Sequence, residues 1–413
     1  MELHDEVGGR VRRSSRIRRL RIVVVSSAVV SATSGATFPF WILYMHFNRH
    51  ISTPLAGIII GFGSVVPLFG SLLGGFLQDH LGPRTTAMFG TAAEGVAFLG
   101  FYVARSPWAF FVAFGIFGLS TIRYAARSSL LTHYLPQDLP SGKFFSYEFM
   151  AVNAGYAIGT IFGGIVINLH HPATFMTLLA VSAILNFVGA ISLLVISEAP
   201  HRVHQHEATG YREAILDPNL RRYLLYAAVL SLVSYASFDA GLPGLIGITL
   251  HKSPKLVAIG FATNPILIVL FQRPVYALTA RLGARRTLKL TSLTFAIAWS
   301  TLFATFWFRS TFSVLVDLGC FATFFAFGEM CLSPVPTPVM VALASSGQRG
   351  RYFGLGHFAR AFSNVIGPTA AGEAIGRGYA YLWLGALVVV GLANTQIADR
   401  FARRSNIDER LKL

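Results

Sequence analysis

Charge is scarce in this 413-residue chain, and acidic charge is scarcest: 18 Asp and Glu stand against 34 Lys and Arg, together 13% of the residues. A soluble domain usually carries about 25% charged residues, so a water-facing surface of ordinary composition is excluded. Cysteine is nearly absent. Cys320 and Cys331 both lie in apolar sequence, which argues against a disulfide framework. No phosphate-cradling G-x-x-x-x-G-K-[ST] run occurs, and no metal-ligand or nucleophile constellation rises above chance. An enzyme is therefore not expected, and no cofactor or metal is implied.

Apolar residues are abundant instead: 54% of the chain, with 35 Phe and 39 Gly. They come in runs of the length that a helix needs to cross bilayer hydrocarbon, about 20 residues. The runs are 22–45, 54–78, 84–104, 107–131, 143–169, 174–196, 221–248, 256–279, 285–307, 312–342, 352–375 and 379–398. Twelve spans, all helical because unpaired backbone groups are costly in lipid, make an all-α polytopic membrane protein. The first run is too long, and its small-residue cleavage site too unclear, for a removable signal peptide.

A formal charge of +16 raises nucleic acid as a partner. The placement of the charge points elsewhere. Seven Arg precede the first run, and Arg84, Arg202, Arg212, Arg221, Arg222, Arg281, Arg285, Arg286, Lys289, Arg349 and Arg351 fall between runs on the same side as the basic end from Arg400. Basic residues in short loops mark the cytoplasmic face. The expectation is an integral plasma (inner) membrane protein with both termini cytoplasmic and no nucleic-acid partner. Membrane lipids are its surroundings, with anionic lipid a minor partner for the Arg-rich start.

The longest polar interruption, 197–220, divides the runs six and six. This sets a basic tail at 1–21, a six-helix bundle at 22–196, the linker, a second bundle at 221–398 and a tail at 399–413. The halves echo each other. GGFLQDHLGPRTT follows the second run and ALTARLGARRTL the eighth, their Leu-Gly pairs 201 positions apart, and GTIFGGI at 159–165 pairs with GPTAAGE at 367–373. Inner repeats of this kind build two pseudo-symmetric bundles around a midplane site in secondary transporters.

The stretch from Gly75 to Arg84 resembles the loop between the second and third helices of the major facilitator superfamily. Asp79, Gly82 and Arg84 match, while Pro83 replaces a commonly basic residue. Gly75 permits close helix approach, Gly82 suits a turn, and Asp79 is suited to accept from a helix end or to pair with an Arg. The second copy keeps Gly283, Arg285 and Arg286 but has Ala280 for the carboxylate, so a weaker latch is expected there. Gly155, Gly159, Gly163 and Gly164 resemble the fifth-helix glycine motif of drug–proton antiporters, with Thr160 in place of its Pro; close packing and gating are both open readings. The Arg expected in the fourth helix is missing from 109–118, and Arg123 and Arg127 do not simply inherit its role.

Over nearly the whole chain the resemblance is to the drug:H+ antiporter group, in particular lactococcal-type multidrug/proton antiporters. Glu148, Asp239 and Glu329 match its carboxylates by local context, which implies proton coupling and binding of cationic drugs. The residues support candidacy on their own chemistry, because an ionisable group inside a span is costly unless paired or facing a polar cavity. Glu329 is central to its span, Asp239 nearer the outer side and Glu148 near the cytoplasmic end. Each also has a plain reading as a hydrogen-bonded packing group, and Glu148 as a partner for Lys143 or Arg127. Arg123 and Arg127, four apart, share a helix face; Arg127 snorkels, and Arg123 either pairs with a carboxylate or receives an anionic group.

The expected function is proton-coupled export of amphipathic, cationic or neutral small molecules by a monomer, with Glu329, Asp239, Glu148 and Arg123 handling protons and substrate. The alternative is a proton-coupled transporter of a physiological solute such as a peptide, sugar or lipid. A non-transporting scaffold or receptor is a remote third.

Overall fold

The computed structural model describes residues 2–135, 141–197, 212–344 and 349–410. At 2–13 and 141–147, and at Ser71, Leu72, Gly75, Asp79, Ala125, Arg349, Gly350 and Arg410, it describes the helix but not the side chain's surroundings. Among the described residues every regular element is a helix. These are α1 (Glu2–Thr37), α2 (Thr53–Phe62), α3 (Val65–Leu81), α4 (Pro83–Val103), α5 (Pro107–Leu119), α6 (Arg123–Tyr134), α7 (Ser141–Val166) and α8 (Pro172–Ser192). After the linker, most of which lies outside the described residues, come α9 (Pro218–Ser231), α10 (Ser237–Gly244), α11 (Pro254–Thr301), α12 (Thr311–Leu332), α13 (Pro336–Leu343), α14 (Arg349–Gly376), α15 (Ala380–Arg404) and the single turn α16 (Ile407–Arg410).

Local chemistry sets the starts. Pro opens α4, α5, α8, α9, α11 and α13, where its missing N–H is harmless and its φ is already helical. Ser106, Asp217, Ser253 and Ser310 accept from backbone N–H groups two or three residues on, capping α5, α9, α11 and α12. The chain is an all-α polytopic membrane protein: ten helical stretches among the described residues are long and apolar enough to cross a membrane.

The second and tenth runs are each broken into two helices, α2 with α3 and α12 with α13, and two further elements differ more. The Arg-rich stretch before residue 22 is helical from Glu2 and continues unbroken into the apolar part, its good helix formers Arg and Leu outweighing Gly8 and Gly9. The eighth and ninth runs form one 48-residue element, bent where Gly283 leaves helical geometry at φ 76°, ψ 168°.

Conformation repeats at the offset that the Leu-Gly pairs mark. Gly82 has φ 84° and ψ 158°. Thr86 Oγ1 donates to Gly82 O at 2.9 Å, and Thr287 Oγ1 to Gly283 O at 2.7 Å. A π-turn at Tyr44–Asn48 recurs at Leu245–Thr249, and His50 and His251 that follow both have φ 53°. Ala280 does stand at the motif's carboxylate position, and two carboxylates reach this turn from elsewhere in the chain. Asp408 Oδ1 accepts the Arg285 backbone N–H at 2.9 Å, and Asp399 holds Arg285, Lys289 and Arg403 at 2.8, 3.3 and 2.9 Å. They arrive from the far end of the chain, which is why the local motif does not show them.

The parts before and after the linker meet along two seams made by small residues. A Cβ on Gly57 of α2 would lie 2.4 Å from the Pro368 carbonyl oxygen of α14, and one on Gly372 2.7 Å from that of Thr53. On the other seam a Cβ on Gly164 of α7 would lie 2.2 Å from the Ala258 Cβ of α11. Aromatic cores flank these seams: Trp41 against Phe101 and Tyr44 against Phe175 on one side, Phe238 against Phe261 on the other, each at 4.1 Å between ring centres.

Candidate functional site

Between the two parts lies a cavity of about 700 Å3. The first part contributes Ser34 of α1, Arg123, Tyr124 and Arg127 of α6, and Phe149, Asn153 and Tyr156 of α7. The second contributes Tyr235, Phe238, Asp239, Asn264, Phe325, Glu329 and Arg360. Beyond Phe38 the walls close over fully buried residues: Leu43 packs onto Gly247, and Ile42 with Ile375 onto Gly244. The cavity extends the other way, to Val23 of α1, Leu193 just after α8 and Pro336 at the start of α13.

The backbone that presents Asp239 is irregular. A π-turn over Leu232–Ala236 contains Ser234 at φ −102°, ψ −117°, and the Ser237 hydroxyl donates to the Leu232 carbonyl at 2.6 Å. π-turns concentrate at functional sites because the extra residue re-aims those that follow. Here Tyr235 and Asp239, four apart, both reach the cavity wall. Asp239 is half-buried. Glu329 comes from regular helix α12 and is buried, with the Asn264 side-chain amide donating to its carboxylate and Tyr235 beside it.

The other half of the wall carries paired charge. Arg123 is 8% exposed; its Nη1 lies 2.5 Å from Glu94 Oε2 and donates to Ser120 Oγ at 2.8 Å. Its guanidinium stacks over Tyr124 at 4.7 Å. Arg127 pairs with Glu148 at 2.7 Å, so the structure joins two of the sequence-predicted site residues directly. Arg360 also lines the cavity and bonds the His357 ring at 3.1 Å; among the described residues no carboxylate pairs with it.

The sequence profile of the Major Facilitator Superfamily matches residues 23–368. The chain belongs to that superfamily. It is therefore a membrane transporter of facilitator type and not an enzyme. The facilitator resembles a Na(+), Li(+), K(+)/H(+) antiporter of Planococcus maritimus, 21% identical over 407 residues, with 90% of this chain and 94% of that one covered. It also resembles the multidrug resistance protein MdtH of Yersinia enterocolitica, 23% identical with 77% of each chain covered. In fold it is similar to a POT family transporter solved in complex with 5-aminolevulinic acid, at TM-score 0.75, 14% identity and coverage of 94% and 96%.

Other candidates fall into place around the facilitator's cavity. Cβ atoms on Gly155, Gly159 and Gly163 would lie 2.2, 1.9 and 2.3 Å from the carbonyl oxygens of Ala28, Ala32 and Ala36, so this stripe seats α7 directly on α1. Gly82 makes the turn between α3 and α4, and Arg84 donates to the Ile196 carbonyl at 3.0 Å. The surroundings of Gly75 and Asp79 lie outside the described residues, as do those of Lys143. Sequence reasoning missed Glu94 and Arg360. The signal for Glu94 was present: a lone carboxylate inside the apolar run TAAEGVAF meets the same intramembrane rule that selected Glu329.

Proposed function

We propose that the chain is a proton-coupled secondary transporter of a physiological solute, a small polar molecule of peptide or sugar type, working by alternating access. One observation carries the reading. Asp239 and Glu329 face a cavity shared by both parts of the chain, and among the described residues no Lys or Arg stands within ion-pair distance of either. A carboxyl inside a span is costly unless it is paired or faces a polar cavity, and these two face one. They exchange protons with whichever side the cavity faces, and a solute bound beside them senses that exchange. Arg127, Arg360, Asn153 and Asn264 on the same walls suit a hydrophilic solute better than a purely lipophilic cation.

In this reading α11 is two spans and α14 one more, giving twelve in two six-helix bundles, 22–196 and 221–398, with both termini and the linker cytoplasmic. The closed end at Leu43 and Gly247 is then the outer gate, and the cavity faces inward. The chain works as a monomer, and its Arg-rich start meets anionic headgroups.

A second reading, export of amphipathic drugs, is favoured by the aromatic wall of Phe149, Tyr235, Phe238 and Phe325 and by the name of the Yersinia relative. Proteoliposomes with an imposed pH gradient separate the two. The first reading expects accumulation of a labelled peptide or sugar from a panel, collapsed by a protonophore. Glu329→Gln should stop that accumulation while leaving gradient-free exchange. Movement of a lipophilic cationic dye with no polar solute selects drug export, and gradient-driven accumulation at the wild-type rate in Glu329→Gln removes Glu329 from coupling.

A further inference from the structure

Glu94 is not part of the cavity wall, yet it holds one of the wall's cations. The contact is built into the backbone. Gly90, one turn before Glu94 on α4, has no room for a side chain: a Cβ there would lie 2.7 Å from Arg123 Cβ and 2.9 Å from the Ser120 carbonyl oxygen. That close approach presses the start of α6 onto α4 and sets the Arg123 guanidinium against the Glu94 carboxylate. Glu94 is fully buried, and its second oxygen accepts the Ser34 hydroxyl at 2.7 Å. Arg123 therefore has two faces, one tied back to a carboxylate behind the wall and one on the cavity.

A guanidinium whose buried carboxylate partner is neutralised is left as an uncompensated charge, the costly state of a broken buried pair. The water-accessible direction open to it is the cavity. We propose that Arg123 is a withheld anion-binding side chain, released into the cavity when Glu94 takes up a proton, and that it then binds a carboxylate or phosphate group of the solute. The proton adds to Glu94, Arg123 keeps its charge throughout, and one anionic oxygen partner replaces another. The proposal rests on the transporter reading for its solute, but the release step does not.

The groups around the pair leave Glu94 as the acceptor. Ser34 from α1 is a neutral donor. From α8, Asn186 is neutral and bonds Thr33. On α6, Tyr124 stacks on Arg123 and Arg127 lies one turn on, while Glu148 of α7 is already engaged by Arg127.

The test reads Arg123 directly, with the arginine reagent phenylglyoxal on the purified full chain and mass spectrometry of each site, Arg360 serving as the internal reference. In Glu94→Gln at fixed pH, labelling of Arg123 relative to Arg360 should rise roughly tenfold, the factor carried by one lost charge-assisted contact. Glu94→Met, which removes the acceptor altogether, should do the same and stands in where the Gln variant folds poorly. Across a pH series, wild-type labelling divided by that of Glu94→Gln should climb toward one as pH falls. Inorganic phosphate or acetate should protect Arg123 in the variant, and which of them protects distinguishes the anion. Equal labelling of Arg123 in wild type and both variants overturns the release, a ratio flat with pH overturns the protonation step, and labelling unaffected by either anion overturns the binding site. Failure of solute accumulation with release intact overturns only the transporter reading.

Discussion

Gly82 and Gly283 hold the same backbone conformation, φ 84° with ψ 158° and φ 76° with ψ 168°, at the ends of the two Leu-Gly echoes. A residue with a Cβ held there costs about 1–3 kcal/mol. At Gly283 a Cβ would stand 3.4 Å from Asp408 Oδ1, an ordinary contact, so the cost there comes from the backbone conformation. Gly82→Ala and Gly283→Ala should each lower the melting temperature of the purified protein, by similar amounts because the two backbone conformations match. Melting temperatures equal to wild type in both would show that the turns relax without strain.

The glycines of α7 answer to a different constraint. Gly159→Ala places a methyl 1.9 Å from the Ala32 carbonyl oxygen, a backbone atom that cannot swing aside. Separating α1 from α7 forfeits packing along the whole stripe, and overpacking of this kind typically costs about 1–3 kcal/mol. Gly319 in α12 is the control, with no atom within 4 Å of its virtual Cβ. Gly319→Ala should be neutral or stabilising by up to about 1 kcal/mol, the helix penalty of glycine itself. Thermal unfolding of the two variants side by side reads the contrast, and equal loss in both would mean that the stripe is not under contact.

Much of this architecture is legible in the sequence because the membrane imposes a simple code. Apolar runs mark helices, and the rule against lone charges in lipid picks out Asp239 and Glu329, which the structure places on the cavity wall. The Leu-Gly echo is visible in the letters, whereas the matching π-turns before His50 and His251 are not, since few residue identities accompany them. Glu94 obeys the same code as a lone carboxylate in an apolar run, but no family motif marks its position. Asp408 was illegible for another reason. Its partner Arg285 lies 123 residues away, and nothing local to either position announces the contact. The cargo is not written in composition at all: it depends on which side chains converge on one cavity.

The Arg127–Glu148 pair tests whether charge on that wall stabilises the fold or serves the cavity. Its side chains are 21% and 11% exposed at an N–O distance of 2.7 Å, so they are screened less than a surface pair and more than a fully buried one. Removing one partner of a buried pair costs about 3–5 kcal/mol; with this exposure about 1–3 kcal/mol is the reasonable range. Arg127→Met alone should destabilise because Glu148 is left without its cation, and Glu148→Leu alone for the converse reason. The double variant should recover most of the loss, giving a coupling of about 1–3 kcal/mol in a double-mutant cycle of thermal or denaturant stability. Activity should behave otherwise. If the arginine takes part in solute binding, the stable double variant still loses accumulation in proteoliposomes, whereas a purely structural pair returns both. Additive single effects, with no recovery in the double, would show that the two charges do not depend on each other.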